Sequence, residues 1–154
     1  MPVNIRTTYL AIVVAGICGG AMAADGEAAG MVKNSKGEVG IERGGARIPC
    51  VVGTPVFAAD KVRTGADGAV GVTLRDNTLL SAGPNSLFVL DTFAFDSTTN
   101  AGAVSVNIRK GTLAVATGKI ARQTPESVDF RTPTSVIGVR GTEFVIEAGS
   151  GDED

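Results

Sequence analysis

The sequence predicts an all-β protein in which a single compact domain is built from short strands. Short runs rich in Val, Ile, Leu, Thr and Phe alternate with turn residues, and 21 of the 154 residues are glycine, a composition typical of strands joined by tight turns. Within several runs the apolar residues recur at every second position, as Val70, Val72 and Leu74 do. A chain of this length can bury one core. Two architectures fit the pattern: a curled β-sandwich and a short β-solenoid.

The first 23 residues are predicted to be a signal peptide. Arg6 lies beside the amino terminus and is followed by an apolar run at residues 9–17. This run is shorter than the roughly 20 residues that a membrane-spanning helix requires, but it has the length of a signal-peptide core. The tripeptide Ala-Met-Ala at residues 21–23 then provides a small-x-small cleavage site. We therefore expect export to the periplasm or the medium of a bacterium with a Gram-negative-type envelope.

Cleavage after residue 23 would leave a mature domain at residues 24–154, with its core at about 30–148. The loss of Arg6 changes the net charge from −2 to −3, and no stable membrane span remains. Cys18 leaves a lipid anchor open as an alternative, because a lipoprotein signal also ends in a cysteine. The residue before that cysteine is normally small, whereas here it is Ile17, so the sequence favours soluble export.

The expected strands follow one another closely along the mature chain. Residues 31–33 and 38–43 are expected to form a hairpin around the turn-like segment 34–37. A strand-like run at residues 47–52 follows and is expected to bury Cys50, the one thiol left after cleavage, as a small hydrophobic residue. Further strands of ordinary length are expected at residues 69–74, 78–80, 86–91, 104–108, 112–115 and 143–147.

Helix has little room in this pattern, and a faint internal repeat is visible instead. One helical turn is expected at residues 118–122, before Pro125 ends it. A turn residue followed by threonine precedes an expected strand at Thr78, Thr112 and Thr142. Repeated turn-strand units of this kind could stack as a solenoid, which keeps that architecture open beside the sandwich.

The mature chain lacks most of the residues that perform catalysis or bind transition metals. It has no His and no Trp, and Tyr9 lies in the export segment. The most common general base and the most common transition-metal ligand are therefore missing, so we expect no enzyme, no metal and no cofactor. A carboxylate pair for glycoside hydrolysis is possible in principle, but the turn-like surroundings of most aspartates favour backbone hydrogen bonding instead. Those aspartates are Asp60, Asp67, Asp76, Asp91 and Asp96.

The distribution of charged residues argues against a nucleic-acid partner. The basic residues are scattered as singles, apart from the pair Arg109 and Lys110, and the chain is acidic overall. A nucleic-acid-binding protein normally shows a basic stripe with aromatic residues between the charges. We therefore expect no nucleic-acid partner.

Two segments, residues 61–68 and 131–142, contain the candidate partner-binding residues. Each places arginine, threonine, glycine and turn residues between apolar strands. These residues could be structural, because glycine permits unusual backbone conformations and arginine stems can cover a sheet face. They could also form the rim of a protein interface, where arginine is favoured. The candidates are Arg63, Thr64, Asp67, Arg131, Thr132, Arg140 and Thr142.

The order of motifs along the mature chain resembles the FecR domain family. The two most specific are DKVRTGADG at residues 60–68 and RTPTSVIGVRGTEF at residues 131–144, and nearly the whole mature chain is covered. The other motifs are Gly53 and residues 76–80, 83–86 and 111–113. The resemblance implies an all-β extracytoplasmic module without enzymatic activity.

The best-known members of this family are sigma-factor regulators that span the membrane. They receive a signal from an outer-membrane TonB-dependent transducer and pass it to a cytoplasmic sigma factor. This sequence shows no cytoplasmic helical segment before its apolar run and no further domain after Phe144. We therefore expect a stand-alone periplasmic FecR-like domain that binds a protein of the cell envelope, as an accessory to envelope or sigma-factor-linked signalling. Binding of a cell-wall or surface polysaccharide is the alternative.

Overall fold

The structure, a computed structural model, describes residues 27–139 and 141–149. These residues form twelve strands and two short helical elements. The strands are β1 (Gly30–Lys36), β2 (Val39–Arg43), β3 (Ala46–Pro49), β4 (Pro55–Val56), β5 (Lys61–Thr64), β6 (Ala69–Leu74), β7 (Leu79–Ala82), β8 (Leu87–Phe95), β9 (Gly102–Ala116), β10 (Val128–Arg131), β11 (Val136–Gly138) and β12 (Glu143–Ala148). The helix α1 spans Lys119–Gln123 and precedes a 3₁₀ turn at Pro125–Ser127. The predicted all-β class is confirmed, whereas the predicted signal peptide and Arg140 lie outside the described residues.

The strands form one continuous sheet that β9 divides into two halves. The main strand order is β3-β2-β5-β8-β9-β7-β6-β1-β4. Residues 102–110 of β9 pair with β8, and residues 111–116 pair with β7 on one side and β12 on the other. We call the strands β1, β4, β6, β7, β12 and the second part of β9 half A. Half B contains β2, β3, β5, β8, β10, β11 and the first part of β9.

The change from one half to the other occurs at Gly111. This residue has a φ of +86°, a left-handed conformation that favours glycine. A Cβ atom at this position would collide with the side chain of Ser86, so there is no space for any other residue. The Ser86 hydroxyl also accepts a hydrogen bond of 3.0 Å from the Thr112 backbone N–H. β9 therefore bends against Ser86, and its two ends contribute to different halves of the sheet.

Both halves bury their inward side chains in one shared core. Phe88 and Phe130 of half B and Leu80 and Leu113 of half A are at most 1% exposed and belong to the same hydrophobic cluster. The strand pairs of the described residues are antiparallel except for β9 with β10. Two halves folded over one core correspond to the curled-sandwich form of the prediction, and not to stacked solenoid repeats.

The predicted N-terminal hairpin is wrong. β1 pairs with β6 and β4, whereas β2 pairs with β3 and β5, so residues 31–33 and 38–43 lie in different halves. Gly37 has a φ of +67°, and a Cβ atom there would collide with the backbone of Asp67. This close approach directs the chain from half A to half B. The turn-like composition of residues 34–37 marks the crossing and not a local hairpin.

Other predictions are confirmed or corrected in detail. Cys50 is a buried free thiol, as expected, but β3 ends at Pro49 and leaves Val51 and Val52 exposed. The expected helical turn is present as α1. β7 begins one residue later than predicted, because the Thr78 hydroxyl is hydrogen-bonded to Asp76. No helix among the described residues is long and apolar enough to cross a membrane.

Candidate functional site

The outward surface of half B presents polar side chains in rows across the sheet. The strand register forms one row of residues that runs across the sheet from β2 to β10. The row contains Glu42, Lys61, Val89, Asn107 and Arg131. Neighbouring strands are separated by about 4.8 Å, so Lys61 and Arg131 lie about 14 Å apart on the same surface. Arg63 faces the same way as Lys61, because it lies two residues further along β5. The register therefore collects residues that are distant in the sequence.

We call this surface face B, and its charge is opposite in sign to that of the whole chain. The chain has a net charge of −2. On face B, basic residues outnumber acidic ones at the outward strand positions. The basic residues are Arg47, Lys61, Arg63, Arg109, Lys110 and Arg131, and the acidic residues are Glu42, Asp91 and Asp129. Face B is therefore a basic surface on an acidic protein.

Three basic side chains at one end of face B surround the carboxylate of Glu42. Its oxygens lie 4.0 Å from Arg47 Nη2, 3.9 Å from Lys61 Nζ and 3.9 Å from Arg63 Nε. These distances exceed a hydrogen bond, so the carboxylate provides charge balance without fixing any of the three cations. Within the described part of the chain, Arg63 Nε has no hydrogen-bond acceptor. One carboxylate among three cations leaves this end of face B positively charged.

A groove of about 350 Å³ lies beside this cluster. Its lining includes the apolar residues Ile48 and Pro49 and the charged residues Glu38, Glu42, Arg47 and Arg63. An apolar floor with charged walls can accept a side chain of a protein partner and bind its polar end.

Arg131 occupies the other end of face B. Its Nε donates a 2.7 Å hydrogen bond to Asp129 Oδ2, which also accepts a 3.0 Å bond from the Ser105 hydroxyl. The Arg131 side chain remains 54% exposed. Asp129 therefore orients this guanidinium without removing it from solvent, and Arg131 can still donate to an external acceptor.

Thr64 and Asp67, both candidates from the sequence, make contacts inside the domain. Thr64 is 3% exposed, and its hydroxyl donates a 2.7 Å bond to the Gly83 carbonyl while accepting a 2.8 Å bond from the Ser86 N–H. Asp67 accepts a 3.2 Å bond from the Glu38 N–H. Thr64 therefore joins β5 to the loop before β8, and Asp67 supports the crossing between the two halves.

Thr132 and Thr142 lie in turns on either side of β11. The Thr132 hydroxyl accepts a 3.0 Å hydrogen bond from the Ser135 N–H and so closes the turn after β10. The Thr142 carbonyl accepts a 2.7 Å bond from the Thr117 N–H. Of the described candidates, the structure brings Arg63 and Arg131 onto face B and gives the threonines and Asp67 contacts within the fold.

The two buried aspartates, Asp60 and Asp76, are each bound by different groups within the fold. Asp60 is 1% exposed and is bound by Arg43, whereas Asp76 is fully buried and accepts bonds from the Thr78 N–H and hydroxyl. Among the described residues, no group of three metal-ligating side chains could hold a metal ion. Asp60 and Asp76 therefore perform the structural role that their turn-like surroundings suggest.

The model of the family described as FecR protein matches residues 60–153. The chain belongs to the FecR family. This is a regulatory and signalling family, and the match confirms the resemblance in the motif order. The matched segment begins immediately before β5 and contains both Arg63 and Arg131. No curated protein and no solved structure matches the chain significantly.

Sequence reasoning missed several residues of face B in this FecR domain. Glu42, Arg47 and Asn107 were not among the candidates, because their neighbours in the sequence are unremarkable. They reach face B only through the pairing of β2 with β3 and β5 and of β9 with β8. A local signal did exist for the two arginines, since each is followed by threonine at the end of its strand.

Proposed function

We propose that this FecR-family protein is an exported, non-enzymatic module that binds an envelope protein through face B, as an accessory to envelope or sigma-factor-linked signalling. One observation carries the proposal: Arg63 and Arg131, from segments almost 70 residues apart in the sequence, share one outward surface with Lys61 and Asn107. The partner surface would be acidic. Family membership supports the signalling role, and the export segment predicted from residues 1–23 supports the location.

The chemistry of face B fits a protein better than a polysaccharide. Exposed arginines that keep free donors are typical of protein interfaces, where they bind carboxylates and backbone carbonyls. Sugar-binding surfaces rely on stacking against aromatic rings. The row from Glu42 to Arg131 contains no aromatic side chain. Complementary charge would mainly accelerate association and select the partner, so the complex should weaken as ionic strength rises.

Affinity capture from envelope extracts of the source bacterium tests the proposal. The bait is the exported protein, and the test variant combines Arg63→Ala with Arg131→Ala. The matched control combines Lys119→Ala with Arg122→Ala, which removes the same charge from α1, a helix that contributes no residue to the strands of face B. We expect the wild type and the control to retain the same protein at low salt, and the test variant to lose at least about 90% of it.

Two results would contradict this function. In the first, the test variant and the control retain equal amounts of the captured protein. In the second, the bait retains no protein from the extract but co-sediments with purified cell-wall polymer, as expected of a polysaccharide-binding module. Circular dichroism of each variant verifies that the fold is intact.

A further inference from the structure

The outward surface of half A, which we call face A, has an unusual lack of charge. The three central strands of this half, β6, β7 and residues 111–116 of β9, contain no Asp, Glu, Lys or Arg. The outward surface of an antiparallel sheet normally alternates polar residues with the buried ones. Most strands of face B carry charged residues, whereas the centre of face A is apolar or small and neutral.

Large apolar side chains are exposed on face A. Met31 is 42% exposed, Leu79 is 47% exposed and Val145 is 66% exposed. The register places Met31 and Leu79 in one row across β1, β6 and β7, and Val145 lies in the adjacent row beside Ala114. A shallow depression of about 350 Å³ is lined by Leu79, Ala114, Val145 and their neighbours. Grouped exposure of this kind is typical of surfaces that bind another molecule.

Charged residues are present at the two opposite edges of face A, and the charges at the two edges have opposite signs. β1 carries the exposed residues Lys33 and Lys36, whereas β12 carries the exposed residues Glu143 and Glu147. Ser35 is connected to Ile146 through successive antiparallel pairs, so Lys36 and Glu147, one residue further along each strand, share a row. Face A therefore has a basic edge, a neutral centre and an acidic edge.

We propose that face A is a homodimer interface in which two copies pack face to face around a two-fold axis parallel to the strands. Such an axis places β1 of one copy over β12 of its partner. The basic edge of each copy then meets the acidic edge of the other, with Lys36 opposite the partner's Glu147. An axis perpendicular to the strands would instead stack lysines on lysines and glutamates on glutamates. An isologous interface must be self-complementary, and face A fulfils this condition in one orientation.

The size of face A indicates how tight the dimer should be. Five strands, each about 4.8 Å wide, and five residue steps give a surface of about 24 by 17 Å, or about 400 Å² of flat area per copy. The total is therefore about 800 Å², below the roughly 1,200 Å² of most stable interfaces. We expect a weak dimer with a dissociation constant in the micromolar range, consistent with an interface of small side chains and few anchors.

Sedimentation equilibrium of the purified exported protein tests the proposal. The wild type should change from monomer to dimer between about 1 and 500 μM. The variant Leu79→Asp with Val145→Asp should remain monomeric over this range. The control variant Thr134→Asp with Val136→Asp places the same charges on exposed residues at β11 in half B, outside face A, and should dimerise like the wild type. A monomeric wild type at the highest concentration would overturn the proposal.

A charge swap tests the orientation and does not depend on apolar substitutions. Lys36→Glu and Glu147→Lys should each weaken dimerisation at least about fivefold, because each places like charges opposite one another. The double variant Lys36→Glu with Glu147→Lys restores opposite charges in the proposed dimer and should recover most of the affinity. Both substituted positions are exposed at the edges of face A, so folding should be unaffected. A double variant as weak as the worse single variant would overturn the proposed arrangement.

Discussion

The guanidinium of Arg43 donates two hydrogen bonds to the buried carboxylate of Asp60, with distances of 2.8 Å from Nε to Oδ1 and 2.7 Å from Nη2 to Oδ2. The Phe57 N–H donates a third bond to this carboxylate, and the guanidinium lies 4.5 Å from the centre of the Phe57 ring. The pKa of Arg43 is raised, mainly by its hydrogen bond to Asp60. This pair connects the end of β2 to the start of β5 and supports the basic end of face B.

Substitution of Arg43 should strongly destabilise the fold. Arg43→Ala would leave the Asp60 carboxylate buried without a cation, which costs about 3–5 kcal/mol of the free energy of unfolding. Because the arginine pKa is raised, the contribution of the Arg43 charge to stability is present at neutral pH and is lost as pH rises into the strongly alkaline range. Urea unfolding provides the measurement. The control Arg47→Ala, at a side chain that is 71% exposed, should change stability by less than about 0.5 kcal/mol.

Removal of the Thr64 hydroxyl should reduce stability without altering face B. Thr64→Val keeps the shape but leaves the Ser86 N–H and the Gly83 carbonyl without their partner, at a cost of about 1–3 kcal/mol. Thr92→Val, at an exposed position of β8, serves as the matched control and should be neutral. If Thr64→Val abolished partner capture while unfolding at the wild-type urea concentration, Thr64 would be a contact residue instead.

The bend of β9 should depend on glycine at position 111. Gly111→Ala introduces a Cβ atom into the space of Ser86 and forces alanine into a left-handed conformation, so we expect a loss of at least about 2 kcal/mol. Gly138→Ala is the control, because no atom lies within 4 Å of a Cβ at this position. The melting temperatures of both variants, measured by thermal unfolding, are compared with that of the wild type. Equal melting temperatures would show that β9 does not require this conformation.

The contribution of Cys50 should depend on pH in the alkaline range. Burial raises the pKa of this thiol, so the folded protein favours the protonated form. The contribution of the buried thiol to the free energy of unfolding is therefore complete below the pKa of the thiol in the unfolded chain, roughly 8.5. This contribution is lost as pH rises through the pKa of the thiol in the folded protein. The stability difference between the wild type and Cys50→Ala should narrow from pH 7 to about 10, as measured by urea unfolding. Val51→Ala, at an exposed neighbour, should show no such trend.

Local patterning was sufficient to predict much of this fold. Alternation identified β6, short apolar runs bounded by polar residues identified β8 and β12, and the sequence before Pro125 identified the single turn of α1. Cys50 was correctly expected to be buried. These features depend on the period of apolar residues and on turn composition, which are properties of neighbours in the chain.

Long-range register was the part that the sequence could not reveal. The N-terminal hairpin was wrong because the partner of β1 is β6, about 40 residues away, and not the adjacent β2. The bend at Gly111 was equally hidden, since its cause is contact with Ser86. For the same reason, the sequence could identify residues 61–68 and 131–142 as separate candidate segments. That Arg63 and Arg131 share face B follows only from the strand order β5-β8-β9-β10.

Photo-crosslinking in living cells tests most directly whether face B binds an envelope protein. A photoreactive amino acid replaces Asn107, between the Arg63 and Arg131 ends of face B. We expect a crosslinked adduct that disappears when Arg63→Glu and Arg131→Glu are added and persists when Lys119→Glu and Arg122→Glu are added instead. An adduct that is unaffected by reversing the face B charges, or no adduct at position 107, would contradict the proposed function.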